Sequence, residues 1–151
     1  WFDGTVILSG SIGDGHSVAS AIALGADFAY LGTRFIATEE ANAEPEYKKM
    51  LEESAAKDIV YSSLFTGVLG NYLKPSIENA GMDPENLPDA DKTSMNFGSG
   101  GNTDSKAWKD IWGSGQGIGG INDSPTVSEL VGRLKKEYEE AFNEFKSKMG
   151  A

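Results

Sequence analysis

Two glycine-bearing turns, Gly10-Ser11-Ile12-Gly13-Asp14-Gly15 and Gly32-Thr33-Arg34-Phe35, each directly follow a short apolar run. One helix-length segment separates the two runs. The unit reads as strand–loop–helix–strand–loop with the strands paired in parallel. Parallel pairing brings both loops to the same carboxyl-terminal edge of the sheet. Backbone N–H groups can converge there on one anion, because glycine puts no side chain in the way. Two adjacent loops of this kind are the usual phosphate grip of a (β/α)8 barrel. A phosphate-bearing cofactor or substrate is therefore the leading expectation, with Gly10 and Gly32 permitting close approach and Thr33 adding a hydroxyl donor. The bland alternative is a pair of ordinary tight turns at strand ends.

Charge and length narrow the function classes. A chain of 151 residues can bury a real core. Its formal charge of −10 argues against a nucleic-acid backbone as partner, which needs a basic face. No apolar run reaches the ~20 residues of a membrane span. With no cysteine, disulfides and thiolate metal sites are excluded, which suits a reducing, cytoplasmic setting. Two parallel strands do not make a sheet with both faces covered, so the chain is expected to be the carboxyl-terminal part of something larger.

Along the chain, Thr5 to Ser9 reads as a buried strand and Phe28 to Leu31 as a second. Asp14 is placed to cap a helix from Gly15 to Leu24 with an apolar stripe of Val18, Ala19, Ile22 and Ala23, stopped by Gly25. The positive amino end of that helix is expected to add to the anion site. Pro45 opens another helix, with Tyr47, Met50, Leu51 and Ala55 on its buried side. Val60, Leu64 and Phe65 look extended, Asn71 to Ala80 reads as a short helix interrupted by Pro75, and 81–107 reads as loop. From Pro125 to Met149 a long amphipathic helix is predicted, its stripe formed by Val127, Leu130, Val131, Leu134, Tyr138, Phe142 and Phe145.

Further candidates each have two readings. His16, the only histidine, could contact a phosphate but reads more simply as an exposed helix residue, and a lone histidine makes no standard zinc site. Arg34 could pair with phosphate or tie down neighbouring carboxylates. The run Ser114-Gly115-Gln116-Gly117, bordered by Trp108 and Trp112, suits a cofactor-contacting loop or a linker. Neither a nucleophile triad nor a paired-carboxylate site can be assembled, and no metal site is expected.

Taken together, Leu8 to Gly15, Ala23 to Asp27 and Leu31 to Glu40 closely resemble the nitronate monooxygenase family, formerly called 2-nitropropane dioxygenase. The likeness continues through Phe65-Thr66-Gly67, Tyr72 to Ser76, Trp108 to Trp112 and Ser114 to Gly117. The resemblance implies an α/β chain forming the carboxyl-terminal portion of an FMN-dependent (β/α)8 TIM barrel. Residues 1–58 would be its last two β/α units, 59–124 a cap or insert with the flavin-contacting loop, and 125–151 the terminal barrel helix. It further implies that the flavin phosphate is held by amides at Gly10, Ser11 and Ile12, then at Gly32 and Thr33. Ser114, Gly115, Gln116 and Gly117 would lie near the flavin ring. The family usually has a second glycine where Ser11 stands, so one amide is expected to sit differently.

The activity implied is oxidation of an alkyl nitronate with molecular oxygen. The family's catalytic histidine lies upstream of the first strand, and His16 does not occupy that position. The catalytic base is therefore expected in an upstream half of the barrel, supplied by the same or a second chain. A small-molecule substrate and oxygen are the other expected partners, with no nucleic acid and no membrane. An FMN-dependent enoyl-acyl-carrier-protein reductase is the enzymatic alternative. A non-catalytic flavin- or phosphate-binding module, or one chain of a split protein, is the alternative of another class.

Overall fold

The computed structural model describes residues 2–88 and 110–150. Two compact units are present: Trp1–Glu53 with Gly117–Ala151, and Ser54–Gln116. Trp108 and residues 89–107 of the expected loop lie outside the described residues.

The first unit is built on the parallel pair expected from the glycine turns. Strand β1 (Ile7–Ser9) pairs with β2 (Phe28–Tyr30) in the register Ile7↔Phe28, Leu8↔Ala29, Ser9↔Tyr30. Between them runs α1 (Gly15–Ala23), capped by Asp14 in a reciprocal box with Ser17. Gly25, at φ 97°, takes the left-handed conformation that ends the helix. A short α2 (Thr33–Ile36) follows the second turn, and α3 (Pro45–Glu53) starts at its proline as expected. The long closing helix, α5 (Val127–Lys148), is capped by Thr126 with Glu129 in the same reciprocal way. Leu51, Ile118 and Leu130 are fully buried in this unit.

Two expectations of burial are corrected. β1 is exposed throughout, with Ile7 58% and Phe28 of β2 61% accessible. The α5 stripe is likewise buried only at Leu130, while Val131, Phe142 and Phe145 are exposed. The residue types suit burial, but a two-stranded ribbon leaves its edges and much of its faces uncovered. Lys146 Nζ lies 4.7 Å from the centroid of the Phe142 ring, and about half of that side chain stays accessible.

In the second unit, β3 (Ile59–Ser62) and β4 (Gly70–Leu73) pair antiparallel, Ile59 opposite Leu73 and Ser62 opposite Gly70. The helix expected over Asn71 to Ala80 is thus corrected to a strand followed by a short α4 (Lys74–Asn79). Pro75 falls in the first turn of that helix, where its missing N–H costs nothing, so it starts the helix instead of interrupting it. Tyr72, Ile77 and Ile111 form a small core with Val60, Phe65, Met82 and Leu87 packed on it. Phe65 meets Tyr72 edge to face, with ring centroids 4.8 Å apart. The buried Ser76 hydroxyl donates to the Leu73 carbonyl at 2.7 Å and accepts from the Trp112 amide at 3.0 Å.

Candidate functional site

The first loop leaves β1 through two residues in the left-handed region, Gly10 at φ 98° and Ser11 at φ 55°. Ser11 is the one non-glycine residue with positive φ among the described residues. It holds the conformation a glycine would take, at a cost of about 1–2 kcal/mol for an L side chain. Backbone N–H groups in a turn can form a concavity that binds an anion. The amides of Ser11 and Ile12 donate no hydrogen bond to another described residue, while Gly10 directly follows the Ser9–Tyr30 pair that ends the parallel ladder.

The amides further along this loop are differently employed. Those of Gly13 and Asp14 donate to the Ser17 hydroxyl at 3.2 and 3.1 Å, and that of Ser17 donates to the Asp14 carboxylate at 2.7 Å. The Gly15 amide donates to the Glu137 carboxylate of α5 at 2.8 Å. Burial pushes the Asp14 carboxyl up, but its bonds from Ser17 outweigh that and hold it below its ordinary value. The expected contribution of the α1 amino end to a ligand anion is corrected accordingly. Two carboxylates of the protein itself already occupy that end.

At the second loop Gly32 has φ −110°, a backbone conformation open to any residue. A Cβ built at Gly32 meets no atom within 4 Å, and the same holds for Gly10. The surroundings of both glycines are therefore open. Thr33, half-buried, starts α2. These loops fit a phosphate group: backbone N–H groups of the first loop stand beside space that no side chain fills at Gly10 or Gly32.

Arg34 follows at once, and the structure chooses between its two readings. Only 3% accessible, its guanidinium donates to the Ala37 and Asp123 carbonyls at 3.1 Å each and to the Asp123 carboxylate at 2.8 Å. Burial pulls its pKa down against the attraction of Asp123, yet a guanidinium starts so high that it stays charged. Asp123 is held below the usual carboxylate range, first by hydrogen bonds from Arg133 and then by both positive charges. Arg34 thus ties down a carboxylate. This use was foreseen as a class, but the partner 89 positions away was not.

The remaining candidates divide between the units. Gly117 belongs to the first, and a Cβ there would lie 2.9 Å from the carbonyl carbon and oxygen of Ser11. Ser114, Gly115 and Gln116 belong to the second. Ser114 is buried, its amide donating to the Asn71 carbonyl at 3.2 Å and its hydroxyl to the Gly115 carbonyl at 3.1 Å, while Gln116 is exposed. His16, the residue after Gly15, is exposed on α1 and lines an open groove with Tyr138, Phe142 and Phe145 of α5. Glu137, which closes the α1 amino end, was not singled out by the sequence. Its position on the helix face gives no sign of a partner 122 residues earlier.

Comparison with known proteins gives a consistent set. The family model described as nitronate monooxygenase matches residues 5–137. A nitronate monooxygenase of Paraburkholderia phytofirmans is 30% identical over 146 residues, covering 93% of this chain and 40% of the relative. A probable nitronate monooxygenase of Bacillus subtilis is 27% identical, covering 87% of this chain and 39% of its own length. The chain spans about two fifths of the length of these curated relatives. Among solved structures, nitroalkane oxidase from Streptomyces ansochromogenes superposes with a TM-score of 0.71 at 27% identity, over 95% of this chain and 42% of that one. FabK from Thermotoga maritima gives 0.67 at 24% identity, over 97% and 48%, a likeness of α/β fold alone.

Proposed function

The chain belongs to the nitronate monooxygenase family, and from that premise we propose that it carries the phosphate grip of a flavin-dependent enzyme that oxidises alkyl nitronates with molecular oxygen. The cofactor in this reading is FMN, held through its phosphate by the loops after β1 and β2. When bound, FMN supplies the electron-accepting chemistry. The protein's part is to bind and orient it. Backbone N–H groups at Gly10, Ser11, Ile12 and Gly32 face the phosphate, and the Thr33 hydroxyl is a further donor. Preorganised amides cost no reorganisation when the dianion arrives, and they act without a basic side chain.

One observation carries this reading. Gly32 has an ordinary φ of −110° and open space where a side chain would stand, so nothing in the fold requires glycine there. A ligand that needs the backbone itself gives a physical reason for the residue. Uncovered strand residues such as Ile7 and Phe28 accord with a larger (β/α)8 barrel whose other strands cover them. In this proposal the catalytic base belongs to that remainder of the barrel, since Asp14, the carboxylate of these loops, is taken up by the Ser17 amide and hydroxyl at the cap of α1.

The test is Gly32→Val in the full-length protein. The variant is expected to fold, because its side chain meets open space, and to lose at least about tenfold in FMN affinity. Purified wild-type protein is expected to show the visible absorbance of a bound flavin and nitronate-dependent oxygen uptake. An unchanged FMN affinity in the variant would remove Gly32 from the site, and absence of flavin after reconstitution would remove the whole reading.

A further inference from the structure

Asp123 lies between two guanidinium groups. Arg34 donates to its carboxylate at 2.8 Å and to its backbone carbonyl at 3.1 Å. From the other side Arg133 of α5 forks both oxygens, at 3.0 and 2.6 Å. Such a bidentate grip fixes the carboxylate's position as well as its charge. Arg34 is in turn the residue directly after Thr33, at the exit of the second glycine loop.

Six residues earlier in the same segment, Gly117 presses on the first glycine loop. Its missing Cβ would stand 2.9 Å from the Ser11 carbonyl, and a Cβ at Gly13 would stand 3.2 Å from the Gly117 oxygen. Between the two ends the buried Ile118 and Ile121 anchor the segment, which closes a tight turn through Ile121 N–H to the Ile118 carbonyl at 2.9 Å. A single short stretch of backbone therefore ends on the first loop at Ser11 and on the second at Arg34.

We propose that residues 117–123 are a brace that sets the spacing of the two glycine loops, with Asp123 as its latch and hence a positioning residue for a phosphate held between them. The proposal rests on the phosphate reading of those loops. An amide grip depends on several donors reaching one anion at hydrogen-bond distance together, so a change in loop spacing weakens all of them. An isolated structural ion pair would end on one loop or on neither. This one reaches both.

FMN and riboflavin differ only by the phosphate, so the ratio of their affinities isolates the grip. The experiment is fluorescence titration of the full-length apoprotein with each ligand, for wild type, Asp123→Asn and Arg133→Gln. In Asp123→Asn the FMN-to-riboflavin affinity ratio is expected to fall about tenfold, with riboflavin binding close to wild type. Arg133→Gln, a change at a well-exposed position that removes only the outer fork, is expected to lower the ratio about threefold and serves if Asp123→Asn does not fold. A ratio equal to wild type in a folded variant, or an equal loss for both ligands, overturns the brace. A wild-type protein that does not prefer FMN over riboflavin overturns the phosphate reading itself, a result distinct from either.

Discussion

The Gly15 amide donates to the Glu137 carboxylate at 2.8 Å, at the point where the backbones of α1 and α5 meet. A Cβ at Gly15 would overlap the Leu134 carbonyl oxygen and stand 2.5 Å from the Tyr138 nitrogen. Glycine is thus required by the approach of two helices, and the approach in turn brings a carboxylate to the positive end of α1. The next two residues of α5 to face α1, Tyr138 and Ala141, remain only half-buried.

Gly15→Ala should therefore destabilise by at least about 2–3 kcal/mol, since the Leu134 oxygen and the Tyr138 nitrogen it would meet are backbone atoms that move only with their helix. Glu137→Gln keeps an acceptor and removes the charge, and should cost only about 0.5–1 kcal/mol. Urea unfolding of the two variants checks the order. A harmless Gly15→Ala would mean that the helices do not meet here.

Arg34→Met removes a buried cation whose three acceptors all lie within its own unit. The Ala37 and Asp123 carbonyls lose a donor, while Asp123 retains Arg133. A loss of about 2–4 kcal/mol is expected, smaller than for a pair with no second cation. Arg34→Lys should recover only part of it, because an ammonium cannot reproduce the planar fork. Equal stability of the lysine variant and wild type would contradict the fork as the source.

The same cluster sets an acid limit. Asp123 is held below its ordinary 3.8, first by the hydrogen bonds from Arg133, so its folded pKa lies under its unfolded one. A depressed carboxylate pKa contributes stability in full above the unfolded value and loses it as pH falls through the folded value. The stability gap between wild type and Asp123→Asn should be constant from about pH 5 to 8 and shrink below about pH 4. Unfolding midpoints across that range decide it. A gap that grows in acid would reverse the assigned sign.

Ser11 offers a test of backbone strain. At φ 55° it gains from glycine in the folded state but loses in the unfolded one, so Ser11→Gly should change stability by less than about 1 kcal/mol. Ser11→Val, β-branched in the left-handed region, should cost about 1–2 kcal/mol. Thermal melts of both variants are the measurement. A neutral valine would place Ser11 outside that region.

Features fixed within a few residues were legible before the fold. Asp14 as cap, Gly25 as stop and Pro45 as first helical residue each follow from local backbone chemistry, and the spacing of Gly10 and Gly32 implied the parallel pair. Long-range partnerships were not legible. Strand β4 is four residues with a glycine and an asparagine, and it is extended because Ile59–Ser62 and Gly113 bond to it. The apolar stripe of α5 was read correctly as a stripe, but periodicity shows which residues share a face and not what covers them. In the site, Gly117 was visible as a glycine, while its seat on Ser11 and the pairing of Arg34 with Asp123 depend on chain crossings that no spacing encodes.

The bond from Gly15 to Glu137 closes a loop of 122 residues that contains the whole second unit. At the ordinary pace of translation, about 5–20 residues per second, the amino end of α1 waits on the order of ten seconds for its carboxylate. Ser54–Gln116 emerges during that interval with its own strand pair and core, free to fold ahead of the unit whose two segments flank it in sequence. The glycine loops are thus made early and held late. A ribosome stalled before Glu137 should carry a protease-resistant second unit and a cleavable α1, and both should become resistant once α5 has cleared the exit tunnel.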